Sequence, residues 1–498
     1  MKVHLLHAAA DPPTAGKLPS SSEAVVRDLG LDTLFERMAS GDQFVRDVVS
    51  RTILTPLQSP SDIEWRQAVL RDCLRHPESA RALYDLAVDG VASRKKVRSW
   101  LWGQSASAIL SRSIETLEVL MEPLRTVRRF ADEHASTFES QGLTELLGAA
   151  RHDLSDDYFA LLSDHLNRLR FPTGVVITAD LGKGGKGVHL VLRKPRSIKR
   201  TWRDFVGLGR PDEFTYRVPD RDQSGFQALS ELRDRGTALV ADALAQSTDH
   251  IVSFFELLHW EMAFYIGALN LCEELAANGL PVAFPQAQLP GGRQLSATGL
   301  YDVCLGLRSG ADVVGNDLEA DAISLLMITG VNQGGKSTML RSIGLAQVMM
   351  QSGLFVAATA FRADTAGHVR THFTREEDTS MQSGKLDEEL ARMSEIVGHV
   401  EPGDLVLFNE SFASTNEREG SRVARGIVDG LTQAGVRVVY VTHMYDLAQA
   451  LATEHRPDAL FLRPERLEDG RRTFKVVPGD PLPTSYGRDV FEKVFGSA

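Results

Sequence analysis

Residues 327–344 read MITGVNQGGKSTMLRSIG, and the fold turns on whether this is a phosphate-gripping loop or a glycine-rich turn that happens to hold a lysine. Just upstream, Ile323, Leu325, Leu326, Met327 and Ile328 form a short apolar run that reads as a buried strand. Just downstream, Leu340, Ile343, Val348 and Met349 recur at roughly helical spacing. Gly330, four further residues and Gly335-Lys336-Ser337 thus lie between a strand and a helix start, the setting a phosphate loop requires. Glycines let successive backbone N–H groups turn inward on a phosphate, and the helix dipole adds positive charge at the same place. Gly330, Val331, Asn332, Gln333, Gly334, Gly335, Lys336, Ser337 and Thr338 are therefore the candidate nucleotide-binding residues. ATP with Mg²⁺ is the expected ligand: Lys336 would reach the β- and γ-phosphates and Ser337 would hold the metal.

The rest of the chain bounds what this loop can belong to. At 498 residues it has room for two to four domains. With 43% apolar and 24% charged residues, its composition is that of an ordinary globular protein. Cys73, Cys272 and Cys304 are far apart and odd in number, which excludes a disulfide framework or a zinc spacing and points to a reducing cytoplasm. The opening MKVHLLHAAADPP is too short and too broken for a signal peptide and reads as an edge strand. No run approaches the length of a membrane helix. A net charge of −11 argues against a globally basic nucleic-acid binder but leaves room for local basic patches.

Hydrophobic periodicity divides the chain. Residues 23–171 read as mostly helical, with apolar stripes such as Leu31, Leu34, Phe35 and Met38 that serve core packing. Two β-rich runs, 175–181 and 188–192, then flank a Gly/Lys turn and predict a hairpin within 173–195. From 237 to 278, Leu244, Ile251, Leu258, Tyr265 and Cys272 fall seven apart, a heptad seam on a long helical stretch. Strands and helices alternate from about 290 onward, an α/β pattern. The expected divisions are an N-terminal strand or linker over 1–25, a helical core over 26–290 and a nucleotide-binding domain over 291–498.

A phosphate loop needs partners for the metal and the attacking water. The apolar strand in DLVLFNES ends in Asn409-Glu410, where Glu410 is the candidate base and Asn409 stands where a metal-holding Asp is usual. Asn409 is neutral, so weaker magnesium binding is expected. A second apolar strand ends in Thr442-His443, and His443 can contact the γ-phosphate or the water. Ser383-Gly384-Lys385 precedes a helical run, and two readings stand for it: a phosphate contact or a solvated helix start.

The ordered motifs GVNQGGKST, SGK, LVLFNES, VTHMYDL and TSYG resemble the ATPase domain of the MutS DNA mismatch-repair proteins. Residues 44–74 resemble that family's helical core segment, and the helices over 215–280 resemble its lever and clamp arms. The resemblance implies a multidomain chain: a mainly α-helical core with lever and clamp helices and a β-hairpin, followed by an α/β ABC-type P-loop ATPase domain. It implies paired domains in an ATP-promoted homodimer, with Ser383 and Gly384 facing the partner's ATP, Glu410 serving hydrolysis and His443 sensing the γ-phosphate. It also implies arms that close round DNA, duplex or branched, and no membrane partner. Some features depart from the family pattern. Only some 25 residues precede the core, so the mismatch-reading domain is expected to be missing, and the Phe-x-Glu at Phe408-Asn409-Glu410 lies inside the ATPase strand. Leu386-Asp387 replaces a hydroxyl pair after SGK, Val313 stands where an adenine-stacking ring is usual, and the chain stops at Ala498 before the family's dimerising element. Weak dimerisation without nucleotide is expected.

Two basic clusters are candidate DNA contacts. Arg193, Lys194, Arg196, Lys199, Arg200 and Arg203 surround Trp202, and Lys95 and Lys96 precede Trp100 and Trp102. Such clusters neutralise phosphates without reading sequence, and a solvated face with buried tryptophans is the equal alternative. Two functions follow: a DNA-binding ATPase of genome maintenance, or an ATP-driven switch whose arms grip a protein.

Overall fold

The computed structural model describes residues 1–14, 16–97, 105–172, 174–183, 187–193, 217–219, 221–330, 334–375, 384–467 and 472–482. Its first part is helical: α1 (Ser22–Leu29), α2 (Leu31–Ala39), α3 (Gln43–Ile53), α4 (Pro60–Arg75), α5 (Pro77–Lys95), α6 (Ala106–Glu133), α7 (Gln141–Asp153) and α8 (Asp156–Leu169). The hairpin β1 (Val176–Leu181) and β2 (Gly187–Arg193) follows, then one long helix, α9 (Gln223–Ala277). Beyond it come β3 (Gln286–Gln288), β4 (Leu295–Leu300), α10 (Val303–Ser309), β5 (Asn316–Glu319), β6 (Leu325–Thr329) and α11 (Lys336–Gln351). Next are β7 (Ala360–Asp364), β8 (Val369–Phe373), α12 (Lys385–His399), β9 (Leu405–Asn409) and α13 (Glu417–Gln433). The last are β10 (Arg437–Thr442), α14 (Tyr445–Ala452), β11 (Ala459–Arg466) and β12 (Arg472–Pro478).

These elements form two compact units. One holds residues 1–3, 82–137 and 144–259; the other holds 4–81, 138–143 and 260–498. The border expected at residue 290 falls inside the second unit. In the first unit the stripes on α6, α8 and α9 meet in a core of Leu110, Ile114, Leu117, Leu166 and Ala241. The serines before α6 and α8 cap them: Ser105 Oγ accepts from Ala108 N–H and Ser155 Oγ from Tyr158 N–H, each at 3.2 Å. The hairpin forms as expected, in antiparallel register from Val176 opposite Arg193 to Leu181 opposite Gly187. It lies close to α9 at Gly236, where any Cβ would stand 2.3 Å from Ile177.

The long seam runs further than its spacing foretold. The lever and clamp helices expected over 215–280 are a single 55-residue helix that starts at Gln223, 14 residues before the predicted 237. At 1.5 Å per residue it is about 80 Å long. Seam residues Leu258 and Tyr265 are fully buried. No proline interrupts the helix, and none of its glycines, Gly225, Gly236 and Gly267, breaks it.

The second unit is built on a six-stranded sheet in the order β12-β11-β6-β10-β9-β8. All neighbours are parallel except β12, which closes the edge antiparallel to β11. β6 is buried at every position, and β9 and β10 at all but one each, as parallel strands covered on both faces must be. One face presents Leu325, Met327, Val406, Phe408, Val438 and Tyr440 to α13 and α14 residues. The other receives α11, packed so closely that a Cβ on Gly344 would lie 2.5 Å from Leu407. A smaller sheet, β3-β7-β4-β5, lies in the same unit.

The expected N-terminal edge strand does not form, and residues 5–10 are bends. Their polar backbone groups find side chains in place of a neighbouring strand. Glu261 accepts from the N–H groups of Leu5 (2.6 Å) and Leu6 (2.7 Å), and Tyr265 donates its hydroxyl to Leu5 O (2.6 Å). Among the described residues no helix is long and apolar enough to cross a membrane.

Candidate functional site

Register decides where the polar residues go. Thr329 at the end of β6 pairs with Thr442 at the end of β10, and Asn409 at the end of β9 pairs with Val441. Three parallel strands therefore release Gly330, Glu410 and His443 at one edge of the sheet, where open parallel sheets bind ligands.

The loop after β6 is shaped for close approach. Gly330 has φ 122° and Gly335 φ 91°, both in the left-handed region. A Cβ at Gly330 would stand 2.9 Å from Pro464, and one at Gly335 3.3 Å from Phe474 O, so a side chain at either would crowd its neighbours as well as strain the torsion. Gly334 is buried and Lys336 begins α11, 4% exposed. Its ammonium donates to Gly330 O at 2.5 Å and stands 3.6 Å from Glu410 Oε1. Burial pulls the Lys336 pKa down, and the Glu410 charge opposes that pull. Ser337 is exposed, its hydroxyl donating to Asn409 Oδ1 at 2.9 Å. The two residues expected to share the metal are thus adjacent. Thr338 is half-buried and accepts the Ser342 hydroxyl on its carbonyl at 2.8 Å. Val331, Asn332 and Gln333 lie outside the described residues.

Glu410 sits in a constrained turn. It has φ 53° without being glycine, and Phe412 follows at 62°. Its N–H donates to Val441 O at 2.9 Å, and Thr374 donates its hydroxyl to Glu410 O at 2.5 Å. Glu410 Oε2 accepts from His443 twice, from Nδ1 at 2.6 Å and from the backbone N–H at 3.0 Å. Burial alone would push the Glu410 carboxyl up, but the His443 hydrogen bonds and the Lys336 charge outweigh it and hold it below the usual carboxylate range. In return the hydrogen bond to Glu410 raises His443 against its own burial. Lys336, Glu410 and His443 form one charge cluster with a carboxylate at its centre.

A buried frame that the sequence did not single out holds this turn. His372 is fully buried, its Nδ1 2.8 Å from Ser411 Oγ, while Ser411 donates to His372 O at 2.6 Å. Burial depresses the His372 pKa to about 4, so the ring is a neutral prop at ordinary pH. Glu389 on α12 accepts from Phe412 N–H at 3.0 Å and Ser414 Oγ at 3.1 Å. Tyr440 donates to Ser411 O at 2.7 Å. Polar residues inside apolar strands, such as His372 in VRTHF, were the available signal.

Gly384 caps α12 in extended conformation, and Ser383 lies outside the described residues. Arg193 ends β2 and donates to Thr178 Oγ1 at 3.1 Å; Lys95 and Lys96 are exposed. Lys194, Arg196, Lys199, Arg200 and Arg203, with Trp100, Trp102 and Trp202, lie outside the described residues, as does TSYG. Val313 is half-buried, and Phe408 is fully buried within its strand.

Two family models match the sequence: the MutS2 N-terminal domain over residues 58–278 and MutS domain V over residues 326–495. The second contains every described member of the charge cluster. Curated relatives include proteins named Endonuclease MutS2. That of Pelotomaculum thermopropionicum is 30% identical over 195 residues, 36% of this chain and 24% of the relative. That of Carboxydothermus hydrogenoformans is 33% identical over 158 residues, 31% and 20% of the two chains. That of an Anaeromyxobacter species is 28% identical over 234 residues, 45% and 28%. The chain thus matches about a quarter of the length of these relatives.

Proposed function

The chain belongs to the MutS family, and from that premise we propose that it binds and hydrolyses ATP to drive motions on DNA in repair or recombination. The observation that carries the proposal is the convergence of Lys336, Ser337, Asn409, Glu410 and His443 at one edge of the parallel sheet. The residues fit a magnesium triphosphate. Positive-φ glycines open the backbone at the start of α11, a buried cation stands beside them, and a hydroxyl lies against an amide oxygen. Ser337 and Asn409 would hold the metal, which when bound neutralises charge on the phosphate oxygens. Lys336 binds phosphate oxygens, with Glu410 standing 3.6 Å away as its counter-charge. Glu410, kept ionised by His443, takes the proton of the attacking water. His443 steers that carboxylate and places a second donor at the same edge.

Several finer assignments belong to this reading. Ser383 and Gly384 would face the ATP of a second copy in an ATP-promoted homodimer. The basic residues Lys95, Lys96 and Arg193, with Lys194, Arg196, Lys199, Arg200 and Arg203, would contact the DNA backbone. The helical core of 26–290 would act as the moving arm of the ATPase region of 291–498. Three unpaired cysteines suit a reducing cytoplasm.

The test is binding of the purified chain to duplex, mismatched and branched DNA, with and without ATP, across a salt series. Binding that falls steeply with salt supports the proposal. The net charge of −11 favours a second reading, an ATP-driven switch that grips a protein. Intact ATPase activity with no DNA bound at low salt selects that one. Failure to retain ATP, with no change on Lys336→Ala, sinks both.

A further inference from the structure

The opposite edge of the same sheet carries a different kind of site. A cavity of about 360 Å³ opens where β9 and β10 begin, lined by Arg293, Ile343, Gln347, Asp364, Asp404 and Arg437 among others. Its volume lies in the range of small-ligand pockets. The acidic groups are already committed to their own chain. Asp364 accepts the N–H groups of Gly291 (3.1 Å), Arg293 (2.7 Å) and Gln294 (3.1 Å). Asp404, fully buried, accepts His368 N–H (2.7 Å), Arg370 Nε (3.0 Å) and Glu401 N–H (3.2 Å).

The cations are not so committed. Arg437 donates Nε to Ile323 O at 3.2 Å and Nη1 to Gln294 O at 3.0 Å, two neutral carbonyls. Its Nη2 is buried with no hydrogen-bond partner; Asp364 and Asp321 lie near enough to favour its charge, but their printed bonds go to other groups. Arg293 is 38% exposed and reaches Asp458 only at 3.9 Å, while Arg456 holds that carboxylate at 3.1 Å. A buried guanidinium nitrogen left without a hydrogen-bond acceptor is costly, and an oxyanion relieves the cost in fork geometry.

We propose that this cavity is a second ligand site, distinct from the nucleotide edge, that takes a small dianionic oxyanion between Arg437 and Arg293. The ligand is a phosphoryl or dicarboxylate compound small enough for the cavity. Ile343 and Gln347 belong to α11, the helix that begins at Lys336, so an occupant touches the far half of the phosphate-loop helix. Occupancy therefore has a direct mechanical route to the nucleotide loop.

Isothermal titration of the full chain with inorganic phosphate, and separately with malonate, tests this at matched ionic strength in chloride. The wild type binds at least one of them. Phosphate alone identifies a phosphoryl ligand, malonate alone a dicarboxylate, and both a general dianion site. Binding persists in Lys336→Ala and weakens at least about tenfold in Arg437→Gln, the loss expected for one charge-assisted fork. Arg293→Gln, changed at a more exposed position, weakens it as well and serves if Arg437→Gln does not fold. No binding by the wild type, equal binding by the arginine variants, or loss confined to Lys336→Ala overturns the proposal; the last outcome would place the anion in the phosphate loop.

Discussion

Two sets of buried or half-buried charges in the same unit are handled in opposite ways. At the nucleotide edge Lys336, Glu410 and His443 answer one another, and the set stays open to solvent, with the His443 side chain 53% exposed. Beneath the N-terminal segment, Arg66 and Glu261 are sealed, at 1% and 0% exposure, and answer mainly to backbone. Arg66 donates to Leu6 O at 3.2 Å and to Ser352 O at 2.9 Å, and its guanidinium lies 5.5 Å from the Phe264 ring centre. Glu261 spends one oxygen on the N–H groups of Leu5 and Leu6. The difference separates two uses of charge. A cluster balanced among side chains at a strand edge can exchange partners with a ligand, whereas an ionisable side chain tied to fixed backbone groups holds chain segments in place.

The comparison breaks first if the open cluster proves dispensable. Glu410→Gln should cut ATP hydrolysis by about 10²–10⁴-fold, the usual contribution of a positioned base, while ATP retention survives. Hydrolysis unchanged in a steady-state phosphate assay would remove Glu410 from the chemistry. Changing the sealed cluster should leave hydrolysis per folded molecule intact and act on stability. Arg66→Ala empties a close-packed site and strands Leu6 O and Ser352 O, so a loss of about 2–5 kcal/mol in urea unfolding is expected. Arg66→Met, which refills most of the volume, should recover part of it. A stable Arg66→Ala protein would mean that Arg66 does not clamp the segment.

The sealed carboxylate also predicts a pH signature of definite sign. Burial raises the Glu261 pKa from 4.5 to about 8, against the pull of the Leu5 and Leu6 N–H groups and of Arg66. Between those values the unfolded chain gives up the proton while the folded chain keeps it. This group's contribution is therefore greatest below pH 4.5 and declines as the pH rises toward about 8. Unfolding free energies of the wild type and Glu261→Gln at pH 5, 6.5 and 8 should converge at the low end and part at the high end. Parallel curves would mean that Glu261 stays charged throughout.

The open cluster was far more legible in the sequence than the sealed one, and the reason is local. Gly330, Glu410 and His443 each sit where an apolar run stops, and Lys336 follows Gly330 at the start of α11, so strand ends announce the set and parallel pairing does the rest. Arg66 and Glu261 lie inside helical stretches with no break around them, and their partners are 60 and about 255 residues away. The same distance effect misled the reading of MKVHLLHAAADPP. A short, broken apolar run suggested an edge strand, but the partners of Leu5 and Leu6 are side chains of α9 and Arg66 of α4. The hairpin was legible because both strands and the turn are contiguous. The full run of α9 was not, because the heptad seam that marks it begins only at Leu244.

The smallest effect concerns the one residue that departs from the expected chemistry inside the open cluster. Asn409 already lies 2.9 Å from the Ser337 hydroxyl, so Asn409→Asp adds a charge without moving an atom. A unit charge about 6 Å from a divalent cation in a water-like medium contributes about 1 kcal/mol, a several-fold drop in the magnesium needed for half-maximal hydrolysis. The new carboxylate also stands next in sequence to Glu410, and like charges resist joint ionisation, so the acidic limb of the pH–rate profile should move upward. Both changes come from one substitution and are read in one set of magnesium and pH titrations. If the magnesium requirement stays put while the pH limb shifts, Asn409 faces Glu410 and not the metal, and Ser337 alone among the described residues is left to hold it.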